Sequence, residues 1–162
     1  MLTLTGCSGD ARSSPVETGL VAFVADGDTL RLAGGRSVRL VQIDAPEAVA
    51  ECFGRESARA LATLAPPGTK LELERDPRLD ARDRFGRLLR YVHADGQNLN
   101  VRLVERGAAA PYFFRGSRGR YADNLLAAAE AARSKRRGLW GSCPLATLAP
   151  GLALDAGPSR PR

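Results

Sequence analysis

The spacing of apolar and polar residues changes several times along the chain, and each change marks an element boundary. Gly19 to Ala25 is a short apolar run closed by Asp26-Gly27, and it reads as a strand. Thr29 to Ala33 and Arg36 to Ile43 are two more runs of strand length, and Gly34-Gly35 between them predicts a hairpin with a two-residue turn. Ser57, Leu61 and Leu64, with Ala58, Ala62 and Ala65 beside them, recur at helical spacing until Pro66-Pro67-Gly68 stops the pattern. Thr69 to Arg75 alternates apolar and charged side chains, as a half-buried strand does. After a charged loop, Asp76 to Arg84, a fifth strand runs from Leu88 to His93. Asp95-Gly96 turns the chain into a short helix with Asn98 or Asn100 as cap and Gly107 as terminator. Tyr121, Leu125, Ala128, Ala129 and Ala132 then line one face of a last helix ending at Gly138.

The order is three strands, a helix, two strands, two helices. Five short strands in an open sheet expose two edges, and closing into a small barrel removes most of that exposure. The expected fold class is therefore α+β, a five-stranded barrel with three packed helices. Residues 1–16 lack periodicity and read as an N-terminal tether, and 145–162, rich in Ala, Gly and Pro, read as a disordered tail. The domain is expected over 17–144. A chain of 162 residues, 44% hydrophobic, suffices for one such domain and not two. No stretch approaches the roughly 18 apolar residues of a spanning helix.

Charge sharpens the picture. There are 24 basic and 18 acidic residues, for a net charge of +6. Of the cations 22 are arginine, whose planar fork suits bidentate phosphate contacts, although a G+C-rich genome produces the same ratio. The net charge itself attracts nucleic acid at low salt.

Four acids bracket the hairpin: Asp26, Asp28, Asp44 and Glu47. With the tip at Gly34-Gly35, Asp28 falls opposite a position near 41, and Asp44 follows three residues on. Two carboxylates converging at an open strand end make an oxygen site for a hard cation. Asp26-Gly27 alone reads as a turn, as does Asp95-Gly96. In Ile43-Asp44-Ala45-Pro46-Glu47, Pro46 ends the strand, leaving the Ala45 carbonyl able to face a cation and Glu47 close behind. Asp83-Arg84-Phe85-Gly86-Arg87, with Arg39 on the hairpin, adds guanidiniums able to clamp a phosphate.

These blocks resemble a known family. Val24-Ala25-Asp26-Gly27-Asp28-Thr29, Val38-Arg39-Leu40 with Ile43 to Glu47, and Asp83 to Arg87 look like the three signature blocks of the thermonuclease (staphylococcal nuclease-like) family. Gly96 with Asn100, Leu103-Val104, Gly107-Ala108 and Gly138-Leu139-Trp140 resemble its later helical blocks. The resemblance covers Gly19 to Trp140 in order. It implies an OB-fold barrel and a calcium-dependent phosphodiesterase that cleaves DNA and/or RNA to 3′-phosphate products. Carried over by position, Asp28, Asp44 and the Ala45 carbonyl would hold Ca2+, Glu47 would activate water, and Arg39 and Arg87 would bind the scissile phosphate. Ala45 stands where the best-known member has threonine, and Phe85 where tyrosine is usual, so two hydroxyl contacts are lost and no essential charge. A different class, a non-catalytic barrel that binds single-stranded nucleic acid, would usually lack one of these charged groups.

Around these blocks, Tyr112, Phe113 and Phe114 precede Arg115, Arg118 and Arg120. Tyr112 and Phe114, with Arg84 and Phe85, are nucleic-acid-binding candidates through base stacking, the alternative being that Phe113 or Phe114 fills the core. His93 has no metal-spaced partner and reads as structural. Leu4-Thr5-Gly6-Cys7 resembles a bacterial lipobox, making Cys7 a lipidation candidate and the only route to membrane attachment. No apolar run of about 7–15 residues precedes it, so either the start lies upstream or the match is chance. If the protein is exported, as a secreted or cell-envelope lipoprotein, Cys52 and Cys143 are the natural disulfide pair; otherwise they are buried thiols. A monomer is the default expectation.

Overall fold

Five strands close on themselves, as the order of apolar runs predicts. In a computed structural model, which describes residues 16–159, the chain runs β1 (Glu17–Val24), β2 (Thr29–Leu32), β3 (Ser37–Leu40), β4 (Ile43–Asp44), α1 (Gly54–Leu64), β5 (Lys70–Glu74), β6 (Leu88–Ala94), β7 (Gln97–Asn98), α2 (Leu99–Glu105), β8 (Ala110–Pro111), α3 (Ala122–Ser134) and the single turn α4 (Leu139–Ser142). The Cys7 candidate and the tether over 1–15 lie outside the described residues, as do 160–162. Strand β1 pairs antiparallel with β2 and β5, β2 with β3, and β5 with β6. A parallel pairing of β3 with β6, Val38 opposite Leu88, completes the ring. The fold is α+β, a five-stranded mixed barrel with three helices.

Leu30, Leu40, Leu71 and Val92 from the strands pack with Leu61, Leu103 and Leu125 from the three helices in one core. Burial of each large aliphatic side chain contributes about 1.5–3 kcal/mol. The face expected of the last helix is the buried one: Leu125, Ala128, Ala129 and Ala132. Phe113 fills the core, and Phe114 stays exposed. His93 bonds Glu74 at 2.9 Å, consistent with a structural role.

Two local expectations are corrected. The Leu32 N–H bonds the Arg36 carbonyl at 2.8 Å, so the hairpin turn holds three residues, Ala33 to Gly35, with positive φ at both glycines. The extra residue shifts the register by one: Thr29 faces Arg39, and the Leu40 N–H bonds the Asp28 carbonyl. The run expected to continue to Ile43 breaks at Gln42, whose φ is 63°. That left-handed backbone is held by the buried amide, which accepts from the Tyr91 hydroxyl (3.1 Å) and the Gly119 N–H (2.7 Å) and donates to the Ser117 carbonyl (2.6 Å).

The segment after Pro144 also departs from the expected disordered tail. Residues 145–159 run back across the domain as a strap. The Pro150 carbonyl accepts from the Phe113 N–H, the Gly157 carbonyl from the Cys52 N–H, and the Ser159 N–H donates to the Ala50 carbonyl. Leu148 packs on the main core, while Ala156 is buried against Leu139 and Cys143. Its Ala, Gly and Pro content conceals these few anchors, and no periodicity announces them. A disulfide joins Cys52 to Cys143 beside the strap. Its closed loop of 91 residues restrains the unfolded chain by on the order of 4 kcal/mol. Among the described residues no helix is long and apolar enough to cross a membrane.

The two candidate caps of α2 divide their labour. Asn98 is the cap, accepting from the Val101 N–H at 3.1 Å. Asn100 is fully buried and bridges β6 to the turn after β3, accepting from the Val92 N–H (3.0 Å) and donating to the Val41 carbonyl (2.8 Å). Asn100→Ala leaves both backbone groups unpaired in the core and is expected to cost about 2–4 kcal/mol, against about 1 kcal/mol for Asn98→Ala. Urea melts of the two variants check the difference.

Candidate active site

The open end of the β2–β3 hairpin gathers the acids. Asp26 Oδ1 accepts from the Asp28 N–H at 3.0 Å, so Asp26 makes the expected turn, and its carboxylate also lines the cleft. A Cβ at Gly27 would stand 2.6 Å from the Ala45 Cβ and 2.7 Å from the Ser57 Cβ, so only glycine lets this turn press against α1. Asp28 follows, 6% exposed, its Oδ1 accepting from the Thr29 hydroxyl (2.9 Å) and its Oδ2 from the Ala45 N–H (3.1 Å).

Arg39, on β3, faces it. One guanidinium nitrogen lies 3.1 Å from Asp28 Oδ2 and 2.6 Å from Asp44 Oδ1. Another donates to the Ile43 carbonyl at 3.0 Å. Asp44, on β4, has its second oxygen filled by the Leu154 N–H of the strap at 2.9 Å. Beyond β4, Pro46 is buried and Glu47 is exposed. The backbone N–H of Glu47 donates to the Glu51 carboxylate at 2.6 Å. Gly54, at the start of α1, packs so closely that a Cβ there would collide with the Glu47 carbonyl oxygen. That contact fixes where Glu47 stands.

Arg87 comes from the turn before β6. Its Nε bonds Asp83 Oδ2 at 2.6 Å, and a terminal nitrogen reaches the Thr29 hydroxyl at 3.3 Å. A continuous polar chain thus runs Asp83–Arg87–Thr29–Asp28–Arg39–Asp44–Leu154. Together Asp26, Asp28, Arg39, Asp44, Ala45, Pro46, Glu47 and Arg87 line one cleft of about 140 Å³. The cleft holds four carboxylates against two guanidiniums.

The crowding shows in the acids. Burial pushes Asp28 up to about 7, with the charges of Asp26 and Asp44 adding and Arg39 opposing. Asp44 is raised as well, first by burial and then by Asp26, against the Leu154 N–H and Arg39. Among the described residues no three His, Cys, Asp or Glu side chains stand at the spacing of a metal site. The donors that do converge are the carboxylates of Asp28 and Asp44 on one nitrogen, hard oxygens in a cleft with excess negative charge. That chemistry fits a hard cation such as calcium.

The other expected residues lie around the cleft, not in it. Phe85 is 68% exposed, with the Arg84 guanidinium 4.7 Å and the Arg87 guanidinium 5.5 Å from its ring centre, forming a cation–aromatic stack at the rim. Tyr112 and Phe114 form a second aromatic pair, 6.5 Å between ring centres, just after β8. That pair is linked to the cleft through the backbone, by the β4–β8 bridge that sets Asp44 opposite Ala110 and by the Tyr112 N–H, which bonds the Gln42 carbonyl at 3.0 Å. Cys52 and Cys143 sit at the foot of the Glu47 loop. Thr29 and Leu154 had no distinguishing signal in the sequence, because one acts through a common hydroxyl and the other through its backbone.

Fold and cleft together define a small α+β barrel protein with an acid-and-arginine site at the open end of one hairpin. The family model described as "Staphylococcal nuclease homologue" matches residues 37–142, and the chain belongs to that family. It is 32% identical over 138 residues to the endonuclease YhcR of Bacillus subtilis (strain 168), covering 75% of this chain and 11% of that one. It is 34% identical to an uncharacterized endonuclease of Haemophilus influenzae (strain ATCC 51907 / DSM 11121 / KW20 / Rd), covering 74% and 64%. A thermonuclease of Staphylococcus intermedius is 29% identical, with 76% of each chain covered. The chain therefore spans only part of the length of the first two.

Asp83 offers a direct check on the arginine cluster. Burial works against its charge, but the Arg87 guanidinium and the N–H groups of Arg87 and Phe85 outweigh it, holding the carboxyl below the usual range. A depressed folded value gives stability that is present above the unfolded value and lost as pH falls through the folded one. Asp83→Asn is expected to lower the melting temperature at neutral pH, and the two proteins should converge as acid titrates Asp83. A series of thermal melts from neutral to acid pH measures this.

Proposed function

We propose that this chain is a calcium-dependent nuclease that hydrolyses DNA or RNA to 3′-phosphate products. The observation that carries the reading is the single cleft in which Asp28, Asp44, Glu47, Arg39 and Arg87 meet. Membership of a family whose relatives are named endonucleases and thermonuclease supports it. Asp28, Asp44 and the carbonyl of Ala45 would hold the calcium ion. When bound, the ion supplies a Lewis acid for a phosphate oxygen and helps place a water molecule.

The hydrogen bonds distinguish the acids. Both oxygens of Asp28 and both of Asp44 are engaged by donors, whereas the Glu47 carboxylate has no bonded partner among the described residues. Asp26 keeps one oxygen free but is tied into its turn through the other, so Glu47 is the cleft acid with both oxygens free, and it takes the proton of the attacking water. The water oxygen bonds to phosphorus and the bond from phosphorus to the 5′ oxygen breaks. That oxygen leaves with a proton from solvent, giving a 3′-phosphate and a 5′-hydroxyl. Arg39 and Arg87 bind the phosphate and offset the charge that grows on its oxygens. The Arg84–Phe85–Arg87 stack at the rim offers a face for a neighbouring base.

The disulfide supports an oxidising compartment, and hence export. Anchoring through Cys7 would follow from lipidation there.

Digestion of denatured DNA with calcium, with EGTA, and by Glu47→Gln tests the reading. Calcium should stimulate cleavage, EGTA should abolish it, and Glu47→Gln should lower kcat by about 10²–10⁴-fold while leaving the melting temperature unchanged. Salt-dependent DNA binding with no calcium-stimulated cleavage would instead identify a single-strand-binding barrel.

A further inference from the structure

We propose that the strap over residues 145–159 is a brace for the catalytic cleft, with the backbone N–H of Leu154 as the positioning group for Asp44. The inference rests on the calcium-dependent reading of the cleft and adds to it a component that no side chain supplies. Asp44 is gripped at both oxygens: Oδ1 by Arg39 at 2.6 Å and Oδ2 by the Leu154 N–H at 2.9 Å, across 110 residues of sequence. The terminal torsion of an aspartate is soft, so a carboxylate with one anchor swings about it. Two anchors on opposite oxygens fix the plane, which is what orienting a ligand toward a cation requires.

The donor is itself immobilised from both sides. Upstream, the Pro150 carbonyl accepts from the Phe113 N–H. Downstream, the Gly157 carbonyl accepts from the Cys52 N–H at 2.8 Å, the Ser159 N–H reaches the Ala50 carbonyl at 3.1 Å, and Ala156 is buried. The same fastenings hold the loop that presents Glu47, since Ala50 and Cys52 belong to it and Cys52 is bonded covalently to Cys143. One segment therefore sets both the orientation of Asp44 and the position of the neighbouring general base. The family match ends at residue 142, so the strap lies C-terminal to the matched residues.

Cys143 allows a test that changes one atom. Native chemical ligation at Cys143 joins residues 1–142 to a synthetic 143–162 carrying either leucine at 154 or its α-hydroxy acid, which replaces the N–H by an ester oxygen. Both full-length chains are oxidised to restore the disulfide, and calcium affinity is measured by calorimetry without substrate. A third chain, Leu154→Ala, keeps the N–H and loses the side chain. The ester is expected to weaken calcium binding tenfold to a hundredfold, as loss of a hydrogen bond to a charged group does. Leu154→Ala should bind calcium like the unmodified chain, and the calorimetry is run well below the calcium-free melting temperatures of all three chains so that only folded protein is compared. With calcium raised to saturation, the ester's kcat should return towards that of the amide. Equal calcium affinity in ester and amide, or an equal loss in Leu154→Ala, would overturn the positioning role while leaving the nuclease reading intact. An all-amide protein that neither binds calcium nor cleaves would overturn both, and that result is read on the unmodified chain.

Discussion

The guanidinium of Arg39 between Asp28 and Asp44 is the contact on which the cleft depends. Two carboxylates drawn into a barrel end lose most of their hydration, and such charges persist only when paired and hydrogen-bonded. One cation answers both, at 3.1 and 2.6 Å. Its place is set by the barrel, because Arg39 lies on the strand that pairs with β2 on one side and β6 on the other. Ring closure and site assembly are thus one event: the parallel pairing that removes the sheet's edges also fixes the cation against the acids.

The charge is partitioned by depth. The chain as a whole is basic, at +6, yet its cleft carries more carboxylates than guanidiniums. A basic exterior draws a polyanion to the surface over a distance set by salt screening, while the acidic cleft favours a small cation at short range. Arg87 connects the two regimes. Its guanidinium is held by Asp83 on one side, touches the cleft through Thr29 and stacks near the exposed Phe85 on the other.

The parts of this molecule that were legible in the sequence are those written in residue type and short spacing. The five strands and three helices followed from apolar period and turn residues, and the acids and arginines grouped because they bracket one hairpin. Misjudged features arose where one residue changes geometry without changing pattern. A third turn residue at Ala33 moved the hairpin register by one, and Gln42, an ordinary strand residue by composition, took a left-handed backbone because its amide is bonded to Tyr91, Ser117 and Gly119. Asp26 reads as a turn residue by its Asp-Gly pair and is also a wall of the cleft. Leu154 was invisible because a backbone N–H has no residue signature, and its partner is far away in the chain.

Covalently, the protein is a ring with two loose ends. The bond between Cys52 and Cys143 encloses the chain from α1 to α4, while β1 to β4 with all four acids of the cleft stand before the ring and the strap after it. A single peptide-bond break inside the ring, for instance at the exposed turn from Arg115 to Arg118, would open the circle without releasing a fragment. The nicked halves would stay joined through sulfur, so α3, α4 and the strap that carries the Leu154 N–H would remain tethered to the barrel and its acids.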